Sequence, residues 1–372
     1  MKKQYIAFLF LFLLLLSGCS DPQPPMQQEV LKPVEQVGQI PDELIEIVEN
    51  NLWKDVTAFD GRVLKSDILS SDQENRTVTH QIRMMDLYGK ELAAYTCSSD
   101  DAYHVTTLTA TAEGGFLFVF GFQDYAYGQN TWASDKGFAS RVIKCDKDGN
   151  VQFDTALEDM EGRALEYCFE KNGQFYFFGT IQKYKTKNRG INPQTDIYMA
   201  RLNENGELSN TQCIAGSDFD DLHFAERSGD HFVLSISAQS DDGDFTGSNS
   251  GGYPVKWVFT VDDDLEIIKK KRSPGRDFSD TQLGEKDGAP VYKSTPLLND
   301  FDAGTPTAFI DYGDFFLIVS ENNTGVYENT PPAVSSIWYY TETVYSGYDD
   351  SGKLLFRASV DSSPDYDNWI NN

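Results

Sequence analysis

EGGFLFVFG, residues 113–121, sets a glycine turn directly before a strand of alternating large apolar residues. Residues two apart in a strand share a face, so Phe116, Phe118 and Phe120 line one side and Leu117 and Val119 the other. The pattern returns as NGQFYFFG (172–179), SGDHFVLSIS (228–237) and YGDFFLIVS (312–320), with a weaker copy in DGRVLKSDIL (60–69). Phe116, Phe175, Phe232 and Phe315 take the matching places. A second element is a polar D/N-x-x-G turn: DLYG (86–89), DKDG (146–149), NENG (203–206), the degenerate DDDL (262–265) and DDSG (349–352). The first marker's glycines, at 61, 114, 173, 229 and 313, are 53, 59, 56 and 84 residues apart, and the second marker's starts are 60, 57, 59 and 87 apart. Two independent markers therefore agree on one period and one long gap.

Within each repeat the order is strand, glycine turn, strand, long loop, strand, D/N turn, strand. Four strands per repeat, joined by tight turns, predict an all-β chain: a β-propeller of about five to six four-stranded blades. A solenoid of this period would normally supply a helix, and a two-sheet sandwich would not explain repeated markers. The one short helical candidate is DELIEIVENNL (42–52). The long gap places an insertion or degenerate hairpin near 270–300 and leaves the blade count open between five and six. An Asp-aromatic-Asp motif opens later repeats, at 218–220, 300–302 and 365–367. The last copy begins DYDNWINN, so the C-terminal strand is expected to enter the first blade and close the ring, because an open ring exposes sheet edges.

The stretch GSDFDDLHFAERSGDHFVLSISAQSDDGDFTG (216–247) resembles repeats of bacterial secreted β-propeller proteins, which run GGs-x-x-D, strand, DGGY, strand, S-x-DGD-x-x-G. SRVIKCDKDGN (140–150), IYMARLNENGE (197–207) and VKWVFTVDDD (255–264) stand where that family has its W-x-x-K-L-D strand, with most of the tryptophans missing. The resemblance implies a fold and life outside the cytoplasm, and no activity.

The N-terminus carries an address. Two lysines, an apolar run from Tyr5 to Leu16 and small residues make residues 1–18 a signal peptide, too short in its apolar part to span a bilayer comfortably. Leu16-Ser17-Gly18-Cys19 resembles the lipobox of bacterial lipoproteins, in which the cysteine is acylated; Cys19 is thus the expected lipidation site and membrane anchor. Residues 19–40, with four prolines and five glutamines, read as a flexible tether, and 41–372 as one propeller domain. With 31 basic and 58 acidic residues the chain carries −27, which excludes nucleic acid as a partner. The basic cluster singled out is Lys183, Lys185, Lys187 and Arg189. Beyond Cys19 the cysteines are Cys97, Cys145, Cys168 and Cys213, as compatible with disulfides as with buried thiols and without the spacing of a zinc site.

In such blades the second-to-third-strand loops and the blade-to-blade connections share one face. That face would collect Tyr125, Tyr127, Trp132, Tyr184, Tyr253 and Tyr327 beside polar residues, with Asp218, Asp220, Asp300 and Asp302 of the opening motifs. Aromatics edged by amides and carboxylates suit a protein or a polysaccharide. Packing of the loops on themselves is the competing account of the aromatics. The acidic turns DKDGN (146–150) and SDDGD (240–244) are explained by turn chemistry, a bound calcium being the weaker reading, because Leu157 stands where a calcium loop needs glutamate. His104 and His223 fall at comparable places in first strands, near Asp101 and Asp221. Nucleophile elbows and HExxH are absent. The expectation is a non-catalytic, cofactor-free binding module; the alternative is a glycoside hydrolase or lyase with carboxylates over the channel.

Overall fold

The five D/N turns are closed in one way, by their first side chain. Asp86 Oδ1 accepts from the N–H groups of Tyr88 and Lys90 at 2.9 and 3.0 Å. Asp146 does the same for Asp148 and Asn150, and Asn203 for Asn205 and Glu207. Asp262 and Asp349 repeat the pattern with residues two and four further on. Aspartate and asparagine interchange here because either supplies the oxygen that the turn requires. The fourth position lies in the left-handed region, at φ +82° for Gly89, +85° for Gly149, +81° for Gly206 and +81° for Gly352. In the degenerate copy Leu265 adopts φ +63° and compensates by burying its side chain.

The computed structural model describes residues 37–59, 61–72, 74–75, 77–100, 103–122, 140–157, 165–182, 195–247, 254–273, 282–286, 289–292, 303–327 and 337–361. Five four-stranded antiparallel blades form a ring, each from consecutive strands. Blade 1 is β1 (Val56–Phe59), β2 (Arg62–Asp72), β3 (Thr77–Asp86) and β4 (Glu91–Asp100). Blade 2 is β5 (Tyr103–Ala110), β6 (Phe116–Phe122), β7 (Ser140–Cys145) and β8 (Val151–Leu157). Blade 3 is β9 (Leu165–Lys171), β10 (Gln174–Gln182), β11 (Thr195–Leu202) and β12 (Leu208–Ile214). Blade 4 is β13 (Asp220–Ser228), β14 (His231–Ala238), β15 (Val255–Val261) and β16 (Ile267–Arg272). A two-stranded hairpin, β17 (Gln282–Lys286) and β18 (Ala289–Tyr292), precedes blade 5, which is β19 (Thr305–Asp311), β20 (Phe316–Tyr327), β21 (Ile337–Tyr348) and β22 (Leu354–Asp361).

The alternating strands explain the packing. Phe116, Phe118 and Phe120 join Ile143 and Cys145 against Leu64, Ile82 and Met84 of blade 1. The opposite face, Leu117, Val119 and Val142, meets Phe175, Phe177, Ala200 and Leu202 of blade 3. Blade 3 in turn packs Tyr176, Phe178, Ile197 and Met199 on Phe232, Leu234 and Phe259 of blade 4. A strand that is apolar on both faces is what a central propeller strand needs, since each blade is covered by two neighbours. Cys145 and Cys168 are buried in these layers and Cys97 is half-buried against one, while Cys213 is exposed, and none of the four is in a disulfide. Burial pushes the Cys97 thiol up to about 11 and the Cys145 thiol to about 12.

Two sequence expectations change. Register places Phe116 opposite Cys145, Phe175 opposite Leu202 and Phe232 opposite Val261, each just before a D/N turn. In blade 5 that place, opposite Tyr348, belongs to Phe316. Phe315 instead sits in the turn, stacked on Tyr312 at 4.7 Å, at the place His231 holds in blade 4, because in both of these blades the matching Phe stands three residues after the turn glycine rather than two. The run KKKR (269–272) belongs to β16 and so to blade 4, which moves the start of the insertion past 272. The insertion itself holds the β17–β18 hairpin, whose Leu283 and Val291 cover Phe309, Phe316 and Ile318 on the face of blade 5 turned away from blade 1. Among the described residues the hairpin supplies two strands, in the place of the inner two of a blade.

Closure of the ring centres on the last strand described, β22. Blade 1 already holds four strands of its own, and residues 362–372 lie outside the described residues. The N-terminal segment comes to β22 instead: Val37 and Arg357 exchange backbone hydrogen bonds of 3.1 and 2.8 Å. A 3-10 turn (Asp42–Leu44) and helix α1 (Ile45–Glu49) then bury Leu44, Ile47, Val48 and Trp53 against Ile310, Val319, Tyr345 and Phe356 of blade 5. Polar contacts pin this clasp. Trp53 Nε1 donates to Tyr312 Oη (3.2 Å), Tyr312 donates to the Leu87 carbonyl (2.9 Å), and Tyr345 donates to Asn51 Oδ1 (2.7 Å).

Candidate functional site

Of the residues singled out for the loop face, Asp218 and Asp220 are described. Cys19, Tyr125, Tyr127, Trp132, Tyr184, Tyr253, Asp300 and Asp302 lie outside the described residues, as does the cluster Lys183 to Arg189. Tyr327 ends β20, its backbone paired with Ile337.

Asp218 and Asp220 belong to a lock between the segments 215–220 and 240–245. Gly216 lets Ser240 approach, since a Cβ there would stand 2.2 Å from Ser240 Oγ. The Ser240 hydroxyl donates to Asp220 Oδ2 at 2.7 Å, and the Ser240 N–H to Oδ1 at 3.2 Å. Asp242 accepts from the Ser217 N–H and Asp244 from the Ala215 N–H, each at 2.9 Å. Asp218 Oδ1 accepts from the N–H of Phe219 at 2.8 Å. Asp220 is fully buried, and desolvation pushes its carboxyl up to about 6, the Ser240 hydrogen bonds opposing and Asp196 adding to the rise. The acidic turn therefore holds backbone N–H groups and its partner segment. Among the described residues no three His, Cys, Asp or Glu side chains form a metal-binding group. Asp220, singled out for the loop face, is buried and faces its own lock.

A feature with no mark in the sequence lies on the first strands, which pack beside one another around the axis. Blades 2 to 5 each carry a β-bulge on this strand, leaving Thr106, Glu166, His223 and Thr307 as the extra residue. The hairpin repeats it at Leu283. A bulge re-aims a side chain and strengthens local twist. The register also corrects the histidine pairing. Thr106 is the equivalent of His223, and His104 is two residues earlier, at the place Asp221 holds in blade 4. Between blades 3 and 4, Tyr167 donates to the His223 carbonyl at 2.8 Å and Thr180 donates to Asp221 Oδ1 at 3.2 Å. Burial holds the Tyr167 phenol well above its usual range. Glu166 is exposed on this inner wall, and Asp221 and His223 are half-buried.

In blades 2 to 5 the second strand ends and the third begins at the same end of the ring, opposite the D/N turns. That common end is the candidate binding face.

No family model matches the chain, and no curated protein matches it. Solved structures with similarity include a variant of the Synechocystis apocarotenoid oxygenase (12% identity, TM-score 0.38), its cobalt-substituted form (13%, 0.36) and a chimera of that oxygenase with RPE65 (11%, 0.38). Each alignment covers 80% of this chain and 58% of the other. Similarity at this level carries no conclusion about chemistry.

Proposed function

We propose that this chain is an extracytoplasmic, lipid-anchored β-propeller that acts as a binding or interaction module, taking a protein or a polysaccharide on the end where its long connections gather. The observation that supports this most is the division between the two ends. At one end each of the five D/N turns holds its own backbone N–H groups with its first side chain, and at the other the second strands of blades 2 to 5 end and the third strands begin. Cys19 supplies the anchor and residues 20–40 the reach. No cofactor or metal enters this reading, and a net charge of −27 sets nucleic acid aside.

The competing hydrolase or lyase reading relies on carboxylates such as Asp220 and Asp302 over the channel. Asp220 is enclosed and engaged by Ser240, so it serves the fold. The full-length lipidated chain, used as bait in cross-linking capture from intact cells, tests the proposal. Capture of a specific partner that is lost in Tyr127→Ala and Trp132→Ala variants is the expected result. A partner retained by both variants would place the interface elsewhere. Cys19→Ala should move the chain out of the membrane fraction.

A further inference from the structure

Blade 4 turns an unusual face toward the hairpin. Where blade 3 presents Tyr176, Phe178, Ile197 and Met199 to its neighbour, the equivalent places in blade 4 hold Val233, Ser235, Lys256 and Val258. Cross-strand register extends this into three rows: Ser237 beside Lys256; Ser235, Val258 and Lys271; Val233, Thr260 and Lys269. Ser273 continues the first row, its N–H donating to the Lys256 carbonyl at 2.8 Å. The opposite face of the same sheet carries Phe232, Leu234, Ile236, Trp257 and Phe259, so the change is confined to one side.

Two further observations point to a ligand. Ser235 and Ser273 are 3% and 7% exposed, and neither hydroxyl has a hydrogen-bond partner among the described residues. Lys269, Lys271 and Arg272 are exposed and make no ion pair among the described residues, although the chain carries 58 acidic side chains. Lysines on an edge strand also deter edge-to-edge pairing. That role needs only β16. It does not account for the buried hydroxyls on β14 and after β16 that have no partner among the described residues.

We propose that this face of blade 4 binds an acidic polysaccharide, its carboxylates held by Lys256, Lys269 and Lys271 and its hydroxyls by Ser235, Ser273 and Thr260. Lys269 and Lys271 are about 7 Å apart along the strand, closer than a Debye length of about 8 Å, so they act on one chain together. The rows lie across the sheet face, where alternating amines and hydroxyls match a ligand dense in both carboxylates and hydroxyls. An acidic peptide adding to the edge of β16 would use its backbone and be indifferent to this face. The proposal concerns a different surface from the loop end and does not depend on it.

The test uses the full chain with polygalacturonate, dextran and poly-glutamate at low salt, followed by calorimetry or retardation in polymer-containing gels. Polygalacturonate should bind in a salt-dependent way and dextran should not. The double variant Lys269→Glu/Lys271→Glu should weaken binding at least tenfold. Lys90→Glu/Lys147→Glu, the same charge change in turns of other blades, should leave it within twofold. Ser235→Ala should weaken it about threefold with an unchanged salt dependence, which separates hydroxyl contact from charge. Polygalacturonate binding no better than dextran, or equal loss in both charge variants, overturns the site. Equal binding of poly-glutamate overturns the carbohydrate assignment.

Discussion

Between blades 2 and 3, Val119 and Val142 meet Phe175 and Phe177, Phe153 stands edge-on to Phe175 at 5.9 Å, and Lys144 lies over the Phe175 ring at 5.1 Å. On blade 4, the places equivalent to Val119 and Val142 hold Ser235 and Val258, and no apolar cluster among the described residues joins that face to the hairpin. The turns show the same contrast. A Cβ on Gly206 would meet the Phe153 ring of the preceding blade at 2.5 Å, whereas one on Gly352, in the same turn of blade 5, would meet nothing within 4 Å. Among the described residues the unit before blade 5 has two strands, and none of them receives that turn. Beside this two-stranded unit one neighbour carries a polar face and the other an unwedged turn.

The strongest way to break this comparison is to truncate one residue on each side. Phe177→Ala should cost about 3–5 kcal/mol in urea unfolding, through lost burial and a cavity. Val258→Ala should cost about 1 kcal/mol or less, and equal losses would mean that the blade 4 face is packed as tightly as the others. Next come the paired glycines. Gly352→Ala should cost only the left-handed backbone term, about 1–2 kcal/mol, and Gly206→Ala at least about 2 kcal/mol more, since Phe153 must move.

The lock at Asp220 lies between these extremes, polar yet closed. Its carboxyl binds a proton more tightly when folded, rising from an ordinary value near 3.8 to about 6. Its stabilising contribution is therefore complete below about pH 4 and is lost as pH rises through about 6. Asp220→Asn removes that dependence and should be more stable than the parent at pH 7 by up to roughly 2–3 kcal/mol, the gap closing at pH 4. The smallest effect is expected at Ser235→Ala, neutral or stabilising by up to about 1 kcal/mol, because the hydroxyl it removes is buried without a described partner. A loss above that would show that the hydroxyl is satisfied within the fold.

Much of this fold is legible in the residues. The D/N turns, the glycines and the phenylalanine strands identify blades 2, 3 and 4 because each marker performs a local task that any copy must repeat. The pattern misplaces Phe315 by one because the glycine takes a different position within turns of equal length, so counting from the glycine lands one residue short of the strand position. KKKR (269–272) reads as insertion because a solvated edge strand of four basic residues shows no alternation. The bulges at Thr106, Glu166, His223 and Thr307 leave no compositional trace, since one extra residue disturbs neither hydrophobicity nor turn spacing.

Sequence alone determined the all-β repeat, its period, the broken interval and the chemistry of each turn, because those depend on contacts within a few residues. Tertiary structure decided the rest. It set five full blades with a half-unit beside the fifth, brought Val37 and the short helix to β22, enclosed Asp220, and left one blade face polar. Each of these depends on which surface lies opposite, and a residue's neighbours across a blade interface are about a repeat away or, at the clasp, near the other end of the chain.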